Sequence, residues 1–454
     1  MARLPEARNV IDSRLWTTNS GRLWVIIGPM PAPDSTVSRR VAARIDESPT
    51  PHHAVATAVR ELEAAGFSDA APGEAPAVGS QYLRRGGALV AWTVAEHHNA
   101  GSPARVVGAH TDSPNLRIKP QPDAGSGPWR QLGVEIYGGA LLNSWLDRDL
   151  GLAGRVVVRS ADGPTTRLVR DNRPLLRIPQ LAIHLDREIN DKGLLLNRQR
   201  HMAPIWAIAD GPSFGSYLAE LAEVDESDVV SYDVMAHDTT PSALTGLDEQ
   251  FLAAPRIDNL LSCFVGVDAL LAASSAPGSS IPMLCLFDHE EVGSVSTAGA
   301  ASPLLGDVLD RIGAALGGDL ESRAASRAAS LVVSADGAHA THPNYADRHE
   351  PDHQIAVNAG PVLKINANQR YATDAETAAV FTLACEAAEV PMQRFVNRTD
   401  LACGSTIGPI SAGQLGIPVV DAGCAQLAMH SAREMAGSHD PAMFLAALTV
   451  LLSA

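Results

Sequence analysis

Five short segments of the chain carry side chains that bind divalent metal ions. They contain histidine, aspartate or glutamate, and most of them stand where an apolar run ends. The segments are residues 108–112 (Gly-Ala-His-Thr-Asp), 256–259 (Arg-Ile-Asp-Asn), 288–293 (Asp-His-Glu-Glu-Val-Gly), 334–339 (Ser-Ala-Asp-Gly-Ala-His) and 428–431 (Ala-Met-His-Ser). Two histidines, two aspartates and a glutamate pair can be chosen from them. That is the ligand set of a two-zinc hydrolase.

Three of these segments directly follow short apolar runs that are typical of buried strands. The side chains placed in this way are His110 with Asp112, Glu290 with Glu291, and Asp336. In an open α/β sheet, the functional crevice lies at the carboxyl ends of the strands. We therefore expect three strands to deliver metal-binding groups to one edge of a sheet. Asp258 stands instead just before an apolar, helix-like stretch and would enter the site from a helix start.

The spacing of His110 and Asp112 has a physical rationale. A neutral imidazole nitrogen binds zinc, and a carboxylate two residues further on can hold the ring through its other nitrogen. The pair Glu290–Glu291 is a stronger signal, because neighbouring carboxylates at a strand end repel each other unless a cation or proton stabilises them. One can bind metal while the other serves as general base. The alternative is two exposed acids in a surface loop, which the apolar residues Phe287 and Val292 disfavour.

The remaining candidates have structural alternatives. Asp258 is a good N-cap for the helix that follows it, and His430 could be a hydrogen-bonded core histidine. Asp336 and His339 precede a loop in which His342, His349 and His353 crowd together, so some of these histidines are bystanders. No single segment decides the function; their joint presence does.

Competing chemistries fit less well. The sequence has no P-loop and no G-x-G-x-x-G motif. Residues 349–353 spell H-E-x-x-H, but Pro351 disfavours the helix that this motif needs. Residues 211–215 spell G-x-S-x-G with Ser213 at the nucleophile position, and we interpret them as a turn.

Composition bounds the function further. The chain has 454 residues, 46% of them hydrophobic, and a formal charge of −16, which disfavours nucleic acid as a partner. Its five cysteines form no C-x-x-C pair, which favours a reducing compartment. No apolar run reaches the roughly 20 residues that span a bilayer, and the N-terminus lacks a secretory layout. We expect a cytoplasmic protein without a membrane partner.

The chain divides into three parts by pattern. Residues 1–40 are interpreted as an N-terminal extension or a mis-assigned start, with Met30 as the true initiator. Residues 41–112 and 246–454 alternate helical patterns with all-apolar strand runs, as a covered sheet requires. Residues 113–245 are rich in alternating runs bounded by Gly, Asp and Pro, which predicts a β-rich insert.

Several longer stretches resemble the aspartyl aminopeptidase and vacuolar aminopeptidase I family of dizinc metallopeptidases. They are residues 360–371 (Gly-Pro-Val-Leu-Lys-Ile-Asn-Ala-Asn-Gln-Arg-Tyr), 403–410 (Cys-Gly-Ser-Thr-Ile-Gly-Pro-Ile) and 426–435 (Gln-Leu-Ala-Met-His-Ser-Ala-Arg-Glu-Met). The resemblance runs from about residue 48 to residue 430. It implies a zinc-exopeptidase-like α/β/α sandwich whose β-rich insert mediates dimerisation, with dimers assembling into a dodecamer.

The resemblance also implies a role for each site residue. Two zinc ions per subunit would be held by His110, Asp258, Glu291, Asp336 and His430, with Asp258 bridging the two metals. Glu290 would be the general base, and Asp112 is counted with it among the catalytic residues. Substrate contacts carry over to His184, His339, Lys364 and Tyr371, with His184 reaching the active site of a neighbouring subunit.

The predicted function is removal of N-terminal residues, acidic ones by the resemblance, from peptides. The chain departs from the family in having His289 where Asn is usual and Gly337 where Met is usual, which bears on substrate preference. Two alternatives remain: a dizinc deacylase or carboxypeptidase acting on small amides, and a non-catalytic shell-forming homologue. The nitrogen and oxygen ligand set also suits Co²⁺ or Mn²⁺.

Overall fold

The computed structural model describes residues 34–70, 76 and 78–454, together with the backbone of two short strands near the N-terminus. The hypothesis that Met30 is the initiator falls outside the described residues.

In chain order the strands are Trp16–Thr17 (β1), Leu23–Trp24 (β2), Ser68–Asp69 (β3), Gly79–Arg85 (β4), Ala88–Val94 (β5), Ala104–His110 (β6), Asn115–Ser126 (β7), Trp129–Tyr137 (β8), Leu150–Val158 (β9), Thr165–Leu176 (β10), Ile205–Ile208 (β11), Val229–Asp238 (β12), Ala243–Thr245 (β13), Phe251–Ala254 (β14), Ile281–Phe287 (β15), Leu331–Ala335 (β16), Ala338–His339 (β17), Val362–Ile365 (β18), Gln393–Val396 (β19), Val419–Gly423 (β20), Ala425–Leu427 (β21) and Glu434–Gly437 (β22).

Ten α-helices lie between these strands in the described part of the chain. They are Thr36–Glu47 (α1), Pro51–Ala64 (α2), Ile189–Lys192 (α3), Phe214–Leu221 (α4), Ile257–Ser274 (α5), Leu304–Ala315 (α6), Leu320–Ala329 (α7), Ala375–Ala387 (α8), Ile407–Leu415 (α9) and Asp440–Leu452 (α10). Short 3-10 turns occur at Leu142–Trp145, Glu226–Asp228, Glu290–Val292 and Ala346–Arg348.

The main sheet has nine strands in the order β19-β18-β20-β16-β6-β15-β5-β4-β3. Its centre is parallel, with β6 between β15 and β16, and β20 on the far side of β16. Strands β5, β15, β16 and β20 are buried along their whole length. The all-apolar runs predicted to be covered strands are confirmed, because a strand with helices on both faces has no polar side.

Helices cover both faces of this sheet. On one face α1, α2, α5, α8 and α10 pack on side chains such as Val107, Leu284 and Val333. On the other face α6 and α9 pack on the alternate positions, among them Val106, Met283 and Val332. Successive side chains along each strand point to opposite faces of the sheet, so they pack into two separate cores. The prediction of an α/β fold is confirmed, and the layers form a helix–sheet–helix sandwich.

Local sequence explains where two site-supporting helices begin. The hydroxyl of Thr50 accepts the backbone N–H of His53 and Pro51 occupies the first turn, so α2 begins with a capped N-terminus. Helix α5 is apolar on all sides because it lies in the core against α10 and β6. It is long and apolar enough to cross a membrane, yet 78% of it is buried inside the protein, and a core helix meets the same criterion.

A second sheet is formed between β6 and β13, in the order β10-β9-β12-β7-β8-β11. It has its own core, which includes Leu116, Val156, Phe214 and Val234. This sheet occupies the stretch predicted to be the β-rich insert. Strand β13 pairs with β14 rather than with this sheet, so residues 243–245 associate with the polypeptide that follows the predicted insert. At the other boundary, α1 begins at Thr36 and crosses residue 40, with Val37 buried in the main core.

A small third sheet, in the order β13-β14-β22-β21-β17, lies near the carboxyl edge of the main sheet. Strand β14 leads into Asp258, β17 follows Asp336, and β21 and β22 flank His430. This sheet therefore brings three distant parts of the chain to the same place.

Candidate active site

The main sheet delivers three of the predicted metal-binding segments to one edge. Strands β15, β6 and β16 are neighbouring and parallel, with Phe287 opposite His110 across the β15–β6 pair. Glu290 and Glu291 follow β15 by a few residues, and Asp336 comes directly after β16. The expectation that strand ends would gather these side chains is met by the geometry.

Asp258 and His430 come to the same edge from other elements. The backbone N–H of Asp258 donates to Glu434 Oε2 at 2.8 Å, and the backbone N–H of His430 donates to Glu434 Oε1 at 2.6 Å. One buried carboxylate thus holds both main-chain segments. The Asp258 side chain faces the histidines rather than capping α5, whose N-cap position is occupied by Arg256 without a side-chain cap.

The predicted ligands form two triads that share Asp258. One contains His110, Asp258 and Asp336, and the other contains Asp258, Glu291 and His430; in each, the ligand atoms lie within 4.8 Å of one another. Asp258 Oδ1 lies 3.3 Å from His110 Nε2, and Asp258 Oδ2 lies 3.2 Å from His430 Nε2. Each oxygen of one carboxylate therefore faces a different histidine, which is the arrangement a bridging ligand needs.

The spacing of these atoms fits a pair of zinc ions. Zinc bonds of about 2.0–2.1 Å in a tetrahedral site put neighbouring ligand atoms roughly 3.3 Å apart. Glu291 Oε1 lies 3.4 Å from His430 Nε2, and Asp336 Oδ1 lies 3.9 Å from His110 Nε2. Asp258 Oδ1 and Glu291 Oε1 are buried without a hydrogen-bond partner. Buried carboxylate oxygens in this condition are costly unless a cation binds them.

Asp112 is the centre of a hydrogen-bond network behind the triads. Its Oδ1 accepts the backbone N–H of Glu290 at 3.0 Å, and its Oδ2 accepts the backbone N–H of Glu291 at 3.1 Å. Its Oδ1 also lies 3.5 Å from His110 Nδ1. The backbone carbonyl of Asp112 is the hydrogen-bond partner of that nitrogen, at 3.0 Å. Asp112 therefore orients the imidazole through its main chain and the turn that carries both glutamates through its carboxylate, whereas the H-x-D spacing predicted that the carboxylate would hold the ring.

The charge balance of the cluster is strongly negative. Burial favours the neutral ring of His110, but the adjoining carboxylates outweigh it and raise its pKa well above the usual value. In the same way, Asp258 and Glu291 raise the pKa of His430 to about 10 against the opposing effect of burial. Burial and the Asp258 carboxylate raise the pKa of Glu291 well above its usual range. These raised pKa values reflect an excess of negative charge in the cluster, which divalent cations can offset.

Glu290 differs from the other acids in its surroundings. Burial raises its pKa to about 7, and the charges of Asp336 and Asp258 act in the same direction. It belongs to neither ligand triad. A carboxylate with a pKa near neutrality beside a metal site is matched to accepting and returning a proton.

Three of the four predicted substrate contacts lie together beside Asp336. Lys364 Nζ lies 3.2 Å from Asp336 Oδ2, donates to the carbonyl of Gly337 and stands 5.0 Å from the centroid of the Tyr371 ring. Phe395 packs between the rings of Tyr371 and His339, with centroid distances of 6.3 Å to each. Lys364 is only 1% exposed, so its ammonium is bound to Asp336 and does not project freely into the cleft.

The fourth predicted substrate contact, His184, is not part of this group. It lies in an exposed turn of the β-rich insert, between β10 and α3. The hydrophobic residues around it are also exposed, among them Leu181, Ile183, Leu185 and Leu195. The single chain thus leaves His184 outside the site, which is consistent with the expectation that it serves a neighbouring subunit.

Asp421 holds the segment after Tyr371 in place, and no sequence pattern identified it. It is fully buried on β20, where Oδ2 accepts the N–H of Ala372 at 2.6 Å and Oδ1 accepts the hydroxyl of Thr406 at 2.5 Å. Its own N–H donates to the hydroxyl of Thr373 at 2.9 Å. The segment after Tyr371 and the start of α9 are therefore fixed to one strand. No local signal marks Asp421, because it stands inside an apolar strand run.

The competing motifs do not form alternative sites. Residues 349–353 lie in a turn after a 3-10 segment, so His349 and His353 do not share a helix face, as expected from Pro351. Ser213 caps α4, and its hydroxyl is hydrogen-bonded to Glu226 on the insert surface.

A mixed sheet covered by helices, with two carboxylate–histidine triads at the ends of its parallel strands, defines a metal-dependent hydrolase. The chain belongs to the M18 family of aminopeptidases: the family model described as aminopeptidase I zinc metalloprotease (M18) matches residues 44–451. The family resemblance predicted from sequence is thereby confirmed, and the chain is a metalloaminopeptidase, an exopeptidase of the hydrolase class.

Known proteins of this family are similar along most of the chain. A probable M18 family aminopeptidase 2 from Streptomyces coelicolor is 52% identical over 415 residues, which cover 90% of this chain and 95% of that protein. In structure, the cryo-EM complex of Ape4 and Nbr1 matches with a TM-score of 0.88 at 34% identity, covering 92% of this chain and 86% of that one. The mApe1 dodecamer of S. cerevisiae matches with a TM-score of 0.80 at 26% identity, covering 92% and 96%.

Proposed function

We propose that this aminopeptidase removes acidic N-terminal residues from peptides by a dizinc mechanism in which Glu290 is the general base. The observation that carries the proposal is the pair of triads joined by Asp258, with each of its oxygens turned to a different histidine. In this assignment His110 and Asp336 would hold one zinc ion, Glu291 and His430 would hold the other, and Asp258 would be shared between them. Co²⁺ or Mn²⁺ would fit the same donors.

Two zinc ions held by these residues would supply the Lewis acidity that hydrolysis of the first peptide bond needs. Glu290 takes the proton from the attacking water and returns it to the leaving amine, which its near-neutral pKa permits. Asp112 keeps the glutamate turn in place through the two backbone N–H groups that it accepts. His339 and Tyr371 contact the oxyanion that forms at the attacked carbonyl.

The preference for an acidic residue is assigned to Lys364. It is the cation next to Asp336 on the substrate side, and its bond to Asp336 directs it toward the metal site. An acidic side chain of the substrate would share this ammonium with Asp336. The same position is also compatible with a second role, in which Lys364 only holds Asp336 in place. A selectivity measurement distinguishes the two roles.

The quaternary structure is the second part of the proposal. We infer that the chain forms dimers through the β-rich insert, that the dimers assemble into a dodecamer, and that His184 contacts substrate bound to a neighbouring subunit. The exposed leucines and isoleucine around His184 support this, because clustered apolar side chains at a surface mark interaction sites. The related mApe1 of S. cerevisiae has been solved as a dodecamer. Five unpaired cysteines support a cytoplasmic location.

The experiment is a panel of chromogenic aminoacyl substrates assayed before chelation, after chelation and after zinc replacement. Aspartyl and glutamyl substrates should turn over fastest, chelation should abolish turnover, and zinc should restore it. N-acetylated versions of the same substrates should be inert, because an aminopeptidase requires a free α-amino group. Turnover of the acetylated compounds would identify a deacylase instead. Absence of turnover on every substrate, with zinc bound, would support the non-catalytic alternative.

A further inference from the structure

A short segment of the β-rich insert contacts the metal-binding cluster directly. Residues 137–141 (Tyr-Gly-Gly-Ala-Leu) begin at the last residue of β8 and lead to the 3-10 turn Leu142–Trp145; we call them the insert strap. Its contacts reach Asp112, Glu291 and His430. Nothing in the sequence marks these five residues as part of the site of their own chain.

The first contact is made by the phenol of Tyr137. Its hydroxyl donates to Asp112 Oδ2 at 2.7 Å. The ring is buried, and the guanidinium carbon of Arg117, on the neighbouring strand β7, lies 4.1 Å from its centroid. Burial and the charge of Asp112 raise the pKa of Tyr137, so the hydroxyl keeps its proton and acts as a donor. The ring is thus held within the insert, while its hydroxyl is bound to Asp112, which follows strand β6 of the main sheet.

The second contact determines how His430 presents its ring. The N–H of Leu141 donates to the backbone carbonyl of His430 at 3.0 Å, and the carbonyl of Gly139 lies 3.3 Å from His430 Nδ1. The strap therefore contacts both the main chain and the ring of this histidine. A carbonyl only accepts, so Nδ1 carries a proton, and it is Nε2 that offers a lone pair when the ring is neutral. Nε2 is the atom that faces Asp258 and Glu291. A backbone carbonyl on the far nitrogen is a common way to orient a metal-binding histidine.

The two glycines of the strap allow this close approach. A Cβ added at Gly139 would stand 3.1 Å from His430 Nδ1, and one added at Gly138 would stand 3.1 Å from Glu291 Cβ. Gly138 also has a φ of +70°, a conformation that other residues rarely adopt. The backbone of the insert therefore lies against the cluster with no side chain between them.

We propose that the insert strap is a positioning element of the metal site and that Tyr137 is its principal residue, fixing Asp112 in the orientation that serves His110 and the glutamate turn. The inference rests on the proposed function, since it takes the two triads to be zinc ligands. Tyr137 acts through Asp112 and does not touch substrate. The insert is accordingly part of the active site of its own chain, in addition to any role between chains.

The test compares Tyr137→Phe with Tyr217→Phe. Both substitutions remove a phenol hydroxyl that donates to an aspartate, since Tyr217 binds Asp171 Oδ2 at 2.9 Å within the insert, away from the cluster. Zinc affinity is measured by competition with a chromogenic chelator, and kcat and KM are measured on the best substrate. Tyr137→Phe should lower zinc affinity or kcat by about 10- to 100-fold, the usual effect of losing an outer-shell partner, with KM nearly unchanged. Tyr217→Phe should match the wild type in all three.

A double variant separates positioning from a general loss of packing. Tyr137→Phe added to Asp112→Asn should cause little further loss of zinc affinity, because the phenol acts through Asp112. Equal zinc affinity and kcat in Tyr137→Phe and Tyr217→Phe would overturn the proposal, as would fully additive losses in the double variant. Zinc affinity needs no substrate, so these results decide the role of the strap even if the wild type fails on every substrate, which would refute only the proposed function.

Discussion

Two regions of the molecule are built in opposite ways. One is the edge of the main sheet, which carries the triads, and the other is the insert segment around His184. At the sheet edge, the buried acids Glu434 and Asp112 hold the backbone of the segments that carry Asp258, His430 and the glutamate pair. Around His184 the chain forms turns with one short helix, and Leu185 and Leu195 are 74% and 86% exposed. Under the proposed function, a single chain would complete the metal site but not the substrate-binding surface, and a second subunit would supply the missing part.

The largest effect is expected from a substitution at the edge of the main sheet that carries the triads. Glu290→Gln should lower kcat by about 10²–10⁴-fold while zinc content stays near two per chain, because the substitution removes the general base and leaves both triads intact. Steady-state kinetics together with metal analysis of the purified variant measure the two quantities.

Glu291→Gln is the matched control. It removes a member of a triad and should lose zinc along with activity. If Glu290→Gln loses zinc and Glu291→Gln keeps it, the roles assigned to the two glutamates are exchanged.

The next effect concerns the exposed segment. His184→Ala should lower kcat/KM by roughly 10- to 100-fold if its ring contacts the substrate, the loss expected when a hydrogen-bond partner is removed. Co-refolding or subunit exchange with Glu290→Gln should restore activity, because a mixed pair contains one site with an intact Glu290 and an intact His184 from the other chain. Activity of the mixture is compared with that of each variant alone.

Absence of complementation in mixtures whose subunits are shown to have exchanged would mean that His184 acts within its own chain or does not act at all. Leu195→Asp provides a second approach. It should weaken the assembly, observed by light scattering, and lower activity in parallel with the loss of assembled protein.

A smaller effect is expected in selectivity. Lys364→Met removes the ammonium but keeps much of the buried volume, and it should damage aspartyl substrates far more than leucyl ones. The ratio of kcat/KM for the two substrates, in the variant and in the wild type, is the measurement. An equal loss on both would assign Lys364 to holding Asp336, from which its ammonium is 3.2 Å distant.

The smallest effect concerns stability rather than turnover. His237 lies on β12, and burial lowers its pKa to about 3. The unfolded chain, with a pKa near 6.5, binds the proton more readily than the folded one below neutrality, so this residue makes stability fall as the pH decreases from about 6.5 toward 3. At pH 5 the contribution is about 2 kcal/mol relative to neutral pH. His237→Gln should therefore reduce the drop in thermal midpoint between pH 7 and pH 5. An unchanged drop would show that other groups cause the acid sensitivity.

The sheet edge could be predicted from the sequence because its signals are local. Each of β6, β15 and β16 is an apolar run that ends within a few residues of a metal-binding side chain, and parallel neighbours deliver their carboxyl ends to one place. The apolar helix after Asp258 could also be read from its pattern. Family resemblance then added His184, Lys364 and Tyr371, which no spacing rule selects.

The supporting residues could not be predicted, because their roles depend on contacts between distant parts of the chain. Glu434 binds the N–H of Asp258 across 176 positions of sequence, and Tyr137 binds Asp112 from a different sheet. A lone acid or tyrosine in an ordinary stretch gives no indication of such a partner. The carboxyl end of the insert was equally hidden, because β13 pairs with the nearby β14, and β14 joins the third sheet through β22, which lies far along the chain.

The hydrogen bonds of Asp421 have a practical consequence for inhibitor design. This carboxylate ties the backbone after Tyr371 and the start of α9 to one strand. If Tyr371 contacts substrate as proposed, that side of the binding site would be assembled before any ligand arrives. A small, stiff compound with a zinc-chelating head can fill it without the entropic penalty of ordering a loop. Potency in such a series should therefore follow how well the compound matches the shape of this side of the site.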